Sequence, residues 1–375
     1  MRWIALLPLR GGSKSIPDKN LRPIAGRPLY AWSLEAALAS DCFDAIYAAS
    51  DSAAIRDAAR ARFGTRIEVL DRAPENATDT ASSEAVMLEV AARTESDVLC
   101  LIQATSPLTR AEDFRAARRR FEQDQLDSLL TGVELKRFFW RHDGVPLNYH
   151  PAHRPRRQEF AGTVMENGAF YFTRTALLRA SGVRLGGRIG VHVMAAECAA
   201  ELDEPDDWPI VEALLRPRVV AGRDLRLLVV DVDGTLTDGG MYYDGKGEAM
   251  KKFDTRDAKG MLMLRDAGVR VCVVTAETSA VVTARMRKLG ITDYFPGVKD
   301  KLAWLREHLT HWQLDAAQVA YIGDDLNDLE GLLAAGLSCC PADAVPEVRQ
   351  AVHYVCAAGG GAGAVREVCD LVRTH

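Results

Sequence analysis

Residues 227–237 read Leu-Leu-Val-Val-Asp-Val-Asp-Gly-Thr-Leu-Thr, a run of apolar residues followed by two acids and a glycine. The apolar, β-branched run predicts a buried strand that ends in two carboxylates, Asp231 and Asp233, where Gly234 turns the chain. Residues i and i+2 of a strand share a face, so both carboxylates can serve one site. Two acids this close repel each other unless a cation lies between them. The stretch therefore predicts a cation-binding site at the end of a strand.

The composition is that of a globular protein with more than one domain. The chain has 375 residues and 48% of them are hydrophobic, which predicts two or three domains. Its net charge of −5 gives no support to nucleic-acid binding. The apolar opening Trp3–Leu7 is too short for a signal peptide or a membrane span. We therefore expect neither a nucleic-acid partner nor a membrane partner.

The eight cysteines include no C-x-x-C pair, and most lie in apolar, strand-like runs. Core packing therefore explains them better than disulfides or zinc sites. The vicinal pair Cys339-Cys340 could be redox-active, but its context favours two buried strand residues. This pattern predicts a reducing, cytoplasmic location.

Short apolar runs alternate with helical patterns along the chain. The predicted strands are Ile4–Leu9, Ala45–Ala49, Ile67–Leu70, Val98–Ile102, Gly168–Thr173, Arg188–Met194, Leu227–Val230, Val269–Thr275 and Val319–Ile322. The predicted helices are Pro28–Ala39, Ser52–Arg62, Thr80–Ala92, Ala111–Phe121, Thr278–Leu289 and Lys299–Leu309. Single helices between strands indicate parallel βαβ units with ligands at the carboxyl ends of the strands. The charged segment Arg216–Asp224, with one proline and one glycine, predicts a linker.

The first predicted strand runs into the loop Arg10-Gly11-Gly12-Ser13-Lys14-Ser15-Ile16-Pro17-Asp18-Lys19-Asn20. Two glycines let a ligand approach the backbone, and the cations can neutralise a triphosphate. The loop lacks the G-K-[ST] ending of a Walker A motif. Taken alone, it could also be a solvated basic turn.

Further motifs follow in order: Asp79-Thr-Ala-Ser82-Ser, Gln103-Ala-Thr-Ser-Pro-Leu, Arg157-Gln158 and Glu166-Asn167-Gly-Ala. Together with the loop, they resemble the nonulosonate cytidylyltransferases, the family of the CMP-sialic acid synthetases, over about residues 1–215. The resemblance implies that Arg10 and Lys19 hold the phosphates of CTP. It also implies that the nucleotide is surrounded by Asn20, Arg72, Asp79, Ser82 and Gln103, and the nonulosonic acid by Arg157, Gln158 and Asn167.

The sequence Glu201-Leu202-Asp203 offers two carboxylates for a Mg²⁺ ion that would draw charge from the leaving pyrophosphate. The family usually has Asp-X-Asp here, so Glu201 is a departure. The alternative is an acidic helix cap around Pro205.

The motif Asp231-Val-Asp233-Gly-Thr resembles that of the haloacid dehalogenase-like (HAD) phosphatases. The resemblance implies that Asp231 is the nucleophile and Asp233 the acid and base. It further implies that Thr275 binds the phosphoryl group, that Lys301 rather than Lys299 neutralises charge, and that Mg²⁺ is held by Asp231, Asp233, Asp324 and Asp328.

Residues 225–375 resemble the cap-less HAD phosphatases of sugar-acid phosphates, with a flap hairpin after Thr237. Glu248, Arg256 and Lys259 match the pattern of the nonulosonate 9-phosphate branch and imply contact with the substrate. The alternative is that both cations form surface ion pairs with Glu248 or Asp254. The glycine run 359–363 indicates a flexible turn, and Ala362 departs from the family's Arg. Cap-less members close their sites by oligomerising, so we expect a homotetramer through this domain.

We therefore expect two doubly wound α/β domains: a nucleotidyltransferase at residues 1–218 and a cap-less HAD-like Rossmannoid domain at residues 219–375. The expected reactions are the transfer of CMP from CTP to a nonulosonic acid and the Mg²⁺-dependent hydrolysis of its 9-phosphate. One alternative is a synthetase whose HAD domain is only an oligomerisation scaffold. Another is a CMP-octulosonate synthetase fused to an octulosonate 8-phosphate phosphatase.

Overall fold

The computed structural model describes residues 1–12, 15–73, 76, 81–245 and 247–373. Its strands are β1 Trp3–Leu9, β2 Pro23–Ile24, β3 Arg27–Pro28, β4 Ala45–Ser50, β5 Glu68–Asp71, β6 Val98–Ile102, β7 Ser128–Leu135, β8 Thr163–Arg174, β9 Ile189–Met194, β10 Leu227–Val230, β11 Tyr242–Asp244, β12 Gly247–Met250, β13 Arg270–Val274, β14 Tyr294–Phe295, β15 Val319–Ile322, β16 Leu337–Cys340 and β17 Tyr354–Val355. Its helices are α1 Leu29–Ser40, α2 Ala53–Phe63, α3 Ser83–Arg93, α4 Ala111–Gln123, α5 Thr175–Ser181, α6 Asp207–Val220, α7 Thr255–Asp266, α8 Ala280–Leu289, α9 Lys301–Trp312, α10 Leu326–Ala334, α11 Pro346–Ala351 and α12 Ala364–Arg373.

Residue contacts divide the chain into two compact units. The first comprises Met1–Arg22 and Pro28–Leu214, and the second comprises Pro23–Arg27 and Leu215–His375. The linker prediction is wrong for residues 216–220, because α6 continues through Pro217 to its end at Val220. Apolar side chains at positions 211, 215 and 219 are buried at four-residue spacing, and this packing offsets the backbone hydrogen bond that the proline removes.

The first unit is built on a seven-stranded sheet in the order β5-β4-β1-β6-β8-β7-β9. Strand β1 pairs in parallel with β4 and β6, so the loop after Leu9 and the turn at Gln103 lie at one edge. Strand β8 runs antiparallel to β6, with Phe170 opposite Ile102. This register carries Asn167 and Gly168 to the same edge.

The second unit is built on a six-stranded sheet in the order β14-β13-β10-β15-β16-β17, and every pairing in it is parallel. Strand β10 lies between β13 and β15, and all four of its residues are buried. An uninterrupted apolar run is typical of a strand covered on both faces. The carboxyl ends of these three central strands therefore bring Asp231, Thr275 and Asp324 together.

The prediction of two doubly wound α/β domains is confirmed. Cys339 and Cys340 lie in β16 and are fully buried, as expected for core residues. All eight cysteines are buried free thiols. In the described part of the chain, no helix has both the length and the apolar character needed to cross a membrane.

Candidate active sites

The first candidate site is a cleft of about 320 Å³ at the carboxyl edge of the first sheet. Its lining residues are Pro8, Arg10, Lys19, Asn20, Arg72, Ala81, Ser83, Gln103, Ala104 and Thr105. The structure thus brings together five of the residues assigned to CTP from the sequence. Three of these five carry positive charge, which suits a polyphosphate.

Two of the cations in this cleft are largely buried. Lys19 is 9% exposed, and its Nζ lies 3.4 Å from Oδ1 of Asp203. Arg72 is 8% exposed and donates to the carbonyl of Asn76, and its buried Nε has no hydrogen-bond partner among the described residues. Burial lowers the pKa of the Arg72 guanidinium, since desolvation penalises its charge. A bound anion would supply the missing acceptor and offset that desolvation.

Carboxylates lie beside these cations. Burial, together with the charges of Asp203 and Glu166, raises the pKa of Glu201 to about 6. The carboxylate of Asp207 accepts hydrogen bonds from the backbone N–H groups of Asp203 and Glu204 at 3.0 and 2.8 Å. Asp207, the first residue of α6, therefore holds the turn that precedes this helix. The carboxylates of Glu201 and Asp203 have the chemistry to bind a hard cation, which would relieve the repulsion between them.

Other predicted residues of the first unit lie elsewhere. Asn167 is fully buried outside the lining set, and its amide donates to the carbonyl of Cys198 at 2.9 Å. Asn167 thereby braces the turn that precedes Glu201. The hydroxyl of Ser82 accepts from Ala85 N–H and caps α3. The structure places Arg157 and Gln158 on an exposed segment that does not line the cleft, and Asp79 lies outside the described residues.

The second candidate site is centred on a buried lysine between two carboxylates. Lys301 Nζ lies 2.6 Å from Oδ1 of Asp231 and 2.6 Å from Oδ1 of Asp328, and the lysine side chain is 1% exposed. The hydroxyl of Tyr321 donates to the same Asp328 oxygen at 2.9 Å, and the other oxygen, Oδ2, is buried with no hydrogen-bond partner in the part of the chain that the structure describes. Lys299, the alternative cation, is exposed.

Carboxylate oxygens of Asp231, Asp324 and Asp328 lie within 4.8 Å of one another. Gly234 has a φ of +85°, and a Cβ there would lie 2.0 Å from Oδ2 of Asp324, so only glycine fits this turn. The hydroxyl of Thr235 donates to Oδ1 of Asp324 at 2.8 Å. Three converging oxygen donors and the unpartnered Asp328 Oδ2 fit a hard divalent cation.

Burial is the largest cause of the raised pKa values in this group of carboxylates. It raises the pKa of Asp231 well above its ordinary range, and Asp328 raises it further. Burial likewise raises the pKa of Asp324 to about 6. Perturbed acids that cluster at the end of a central strand are typical of catalytic sites.

Asp233 lies outside this carboxylate group, because its Oδ1 accepts from Lys251. Sequence reasoning missed Lys251, whose only signal was a Lys-Lys pair between the flap and Phe253. The side chain of Lys251 is 1% exposed, and its Nζ also lies 3.1 Å from Oε1 of Glu248. Thr275 is 2% exposed at the end of β13, where its hydroxyl accepts from Glu277 N–H.

The three residues assigned to the sugar acid lie on two elements, with Glu248 in β12 and Arg256 and Lys259 in α7. Glu248 is engaged by Lys251 and by the hydroxyl of Ser279. Arg256 forms a fork on Asp254, at 2.8 Å for the closest pair, and donates to the carbonyl of Ala362 at 2.7 Å. The alternative of a surface ion pair is thus present for Arg256, and Lys259 is exposed.

The glycine run 359–363 packs against the turn that follows Asp231, so it is more than a flexible turn. Gly361 N–H donates to the carbonyl of Thr235 at 3.0 Å. A Cβ on Gly360 would lie 1.9 Å from the carbonyl oxygen of Gly234. The buried Asp257 anchors the helix that follows, because its Oδ1 accepts from Arg366 N–H at 2.7 Å. This support for the Asp231 turn was not predicted from the sequence.

Comparison with known proteins covers both units. The sequence pattern of the cytidylyltransferase family matches residues 4–201, and that of the haloacid dehalogenase-like hydrolases matches residues 290–365. N-acylneuraminate cytidylyltransferase A of Danio rerio is 33% identical over 381 residues, which is 98% of this chain and 88% of that protein. The N-acylneuraminate cytidylyltransferase of Oncorhynchus mykiss is 34% identical with the same coverage.

Other relatives match the second unit alone. The 3-deoxy-D-manno-octulosonate 8-phosphate phosphatase of Yersinia pestis is 42% identical over 149 residues, which is 40% of this chain and 80% of that protein. The crystal structure of the Moraxella catarrhalis phosphatase of that name, in complex with magnesium, phosphate and KDO, is 33% identical. It covers 42% of this chain and 90% of that chain, with a TM-score of 0.41. The chain thus belongs to the N-acylneuraminate cytidylyltransferase family and carries a C-terminal haloacid dehalogenase-like hydrolase domain.

Proposed function

We propose that this protein catalyses two reactions of nonulosonic acid activation. The first unit would transfer CMP from CTP to a nonulosonic acid and release diphosphate. The second unit would hydrolyse a phosphate monoester of such an acid. The observation that carries the second activity is the buried Lys301 bridge between Asp231 and Asp328. Buried charges are costly, and a chain that needed this unit only for assembly would have no use for them.

In the first unit, the cleft supplies the charge that nucleotidyl transfer requires. Arg10 and Lys19 would bind the β- and γ-phosphates, while the buried guanidinium of Arg72 would donate its unpartnered N–H to the nucleotide. An acceptor hydroxyl of the sugar acid would attack the α-phosphorus and displace diphosphate. The three cations would stabilise the negative charge that develops on the leaving group. Glu201 and Asp203 would hold a Mg²⁺ ion beside it.

In the second unit, Asp231 would attack phosphorus and form an aspartyl phosphate, and Asp233 would protonate the departing oxygen. Lys301 keeps Asp231 in place and balances its charge. Thr275 would donate its hydroxyl to the phosphoryl group. Mg²⁺, held by Asp231, Asp324 and Asp328, would supply a charge that neutralises the phosphate oxygens. Water activated by Asp233 would then release phosphate.

The scaffold alternative and the catalytic proposal differ in one measurement. Full-length protein with Mg²⁺ is incubated with a nonulosonate 9-phosphate, and phosphate release is followed. The catalytic proposal expects steady turnover that Asp231→Asn abolishes. A wild-type protein that releases no phosphate from any sugar-acid phosphate would support the scaffold alternative.

The preferred phosphate ester is a separate question. Glu248, Arg256 and Lys259 match the 9-phosphate branch, and full-length relatives named for N-acylneuraminate favour a nine-carbon acid. The 42% identity of the second unit to an octulosonate 8-phosphate phosphatase makes that ester the second candidate. A panel of both esters, with kcat/KM measured for each, distinguishes them.

We also propose a cytoplasmic homotetramer. Eight buried free thiols suit a reducing compartment.

The flap hairpin exposes apolar side chains that a partner subunit would cover, namely Met241, Tyr242, Tyr243 and Met250. Light scattering of the wild type and of Tyr243→Ser tests the assembly, because loss of the apolar contact should shift the mass downward. If the wild type and Tyr243→Ser have the same mass, and that mass is below that of a tetramer, a tetramer through the flap is excluded.

A further inference from the structure

A chain of polar contacts connects the proposed catalytic acid to the flap. Lys251 follows strand β12 directly, and its buried ammonium contacts Oδ1 of Asp233. The same Nζ lies 3.1 Å from Glu248, a residue within β12. Glu248 in turn accepts a hydrogen bond from the hydroxyl of Ser279. Four side chains thus join the catalytic turn, the flap strand and the start of α8.

The two ends of this series of polar contacts, Ser279 and Asp233, are held differently. Ser279 is 3% exposed and accepts from Val282 N–H, so it belongs to the rigid start of α8. The side chain of Asp233 is 22% exposed, so it remains open to a ligand while Lys251 holds its Oδ1. An ammonium buried to this degree is stable only with carboxylate partners, and Lys251 has two. These two partners fix the position of the Lys251 ammonium, and Lys251 in turn fixes the position of Asp233.

We propose that Lys251 is a positioning residue for the phosphatase reaction. It holds Oδ1 of Asp233 and connects this residue through Glu248 to the flap, so that Oδ2 can carry the proton that passes to the leaving oxygen. This inference rests on the proposed phosphatase function. Misplacing a general acid by about 1 Å costs on the order of 10²-fold in rate, so the second carboxylate of the motif needs such a support. Lys251 itself contacts no reacting atom in this scheme.

The inference is tested by the leaving group. An alkoxide leaves phosphorus only if it is protonated, whereas p-nitrophenolate leaves without a proton. Full-length protein and Mg²⁺ are mixed with p-nitrophenyl phosphate, with the protein in excess over the ester. A second reaction uses whichever of octulosonate 8-phosphate and a nonulosonate 9-phosphate the wild type hydrolyses faster. Single-turnover release of the leaving group is measured for the wild type and each variant.

Lys251→Met should slow release from the alkyl ester about 100-fold and from the aryl ester less than about 10-fold. Lys251→Arg, which keeps the charge, should recover at least about 10-fold on the alkyl ester. If Lys251→Met does not fold, Lys251→Arg must still lower the alkyl rate more than the aryl rate. The matched control is Lys252→Met, whose exposed side chain pairs with Asp238, and both rates should stay within about 2-fold.

The outcomes separate the two proposals. Equal losses on both esters, or no loss on either, would show that Lys251 is only a structural ion-pair partner and overturn the inference while the phosphatase stands. A wild type that hydrolyses neither ester would overturn the proposed phosphatase function, and the inference with it.

Discussion

Lys301 and Asp231 form an ion pair across 70 positions of sequence, with 2.6 Å between Nζ and Oδ1. Both side chains are almost fully buried, at 1% and 6% exposure. Burial alone would raise the pKa of Asp231 and so favour its neutral form, whereas the ammonium opposes this effect. The pair therefore offsets part of the cost of holding a carboxylate inside the protein.

The first prediction concerns that nucleophile. Asp231→Asn keeps the size of the side chain but removes its nucleophilic charge, so phosphate release from any ester should fall below detection. Diphosphate release from CTP with a nonulosonic acid should stay near the wild-type rate, since the cleft lies in the first unit. Normal phosphate release by Asp231→Asn would show that another group attacks phosphorus.

The second prediction concerns the first cleft. Arg10→Ala or Lys19→Ala should lower CTP-dependent diphosphate release by on the order of 10²-fold, because each removes a cation from the developing charge. Phosphatase activity should persist in both variants. Arg60→Ala is a matched control, since this arginine is 53% exposed and pairs with Asp57. Wild-type synthesis in both cleft variants would refute the assignment.

The third prediction concerns substrate choice by the second unit. Arg256→Ala or Lys259→Ala should lower kcat/KM for a nonulosonate 9-phosphate about ten- to a hundredfold, which corresponds to a charged hydrogen bond of about 1.5–3 kcal/mol. Hydrolysis of p-nitrophenyl phosphate should change little, because that ester has no carboxylate. For Arg256 to bind substrate, its fork must leave Asp254. Parallel losses on both esters would make these cations structural.

The fourth prediction concerns pH and stability. Burial raises the pKa of Asp257 to about 6 from its ordinary 3.8. Since the folded pKa is the higher one, the contribution of Asp257 to stability is fully present below about pH 4 and is lost as the pH rises through about 6. Asp257→Asn cannot ionise, so its stability relative to wild type should be higher at pH 8 than at pH 5, by about 1–2 kcal/mol.

Urea denaturation of both proteins at the two pH values measures this difference. Any cost of burying the amide is the same at both pH values and cancels. Asp266→Asn lies on the same helix with a side chain that is 70% exposed, so its effect should not depend on pH. A pH-independent effect of Asp257→Asn would show that the buried carboxyl does not titrate between pH 5 and 8.

Sequence patterns alone located the central strands of both sheets and the residues at their carboxyl ends, but they gave no indication of β7, β14 or β17. Strand β10 is an unbroken apolar run, as is typical of a strand covered on both faces, and the chain turns after it at Gly234, whose φ of +85° favours glycine. Period and composition are local properties, so the strand ends at Leu9 and Val230 could be located without knowing what surrounds them. The motifs at those ends then placed Arg10, Lys19, Asp231 and Lys301.

Tertiary packing determines which side chains face a ligand and which ones support them. Asn167 sits at the predicted edge but is buried against Cys198, and Lys251 reaches Asp233 from 18 positions away. Gly360 packs on Gly234 from the far end of the chain. Such pairings depend on how loops pack across the edge of a sheet. A different rotamer or one close backbone approach there decides whether a side chain contacts a ligand or only supports its neighbours. Local sequence patterns carry no information on that choice, because the contacts that fix it join residues far apart in the chain.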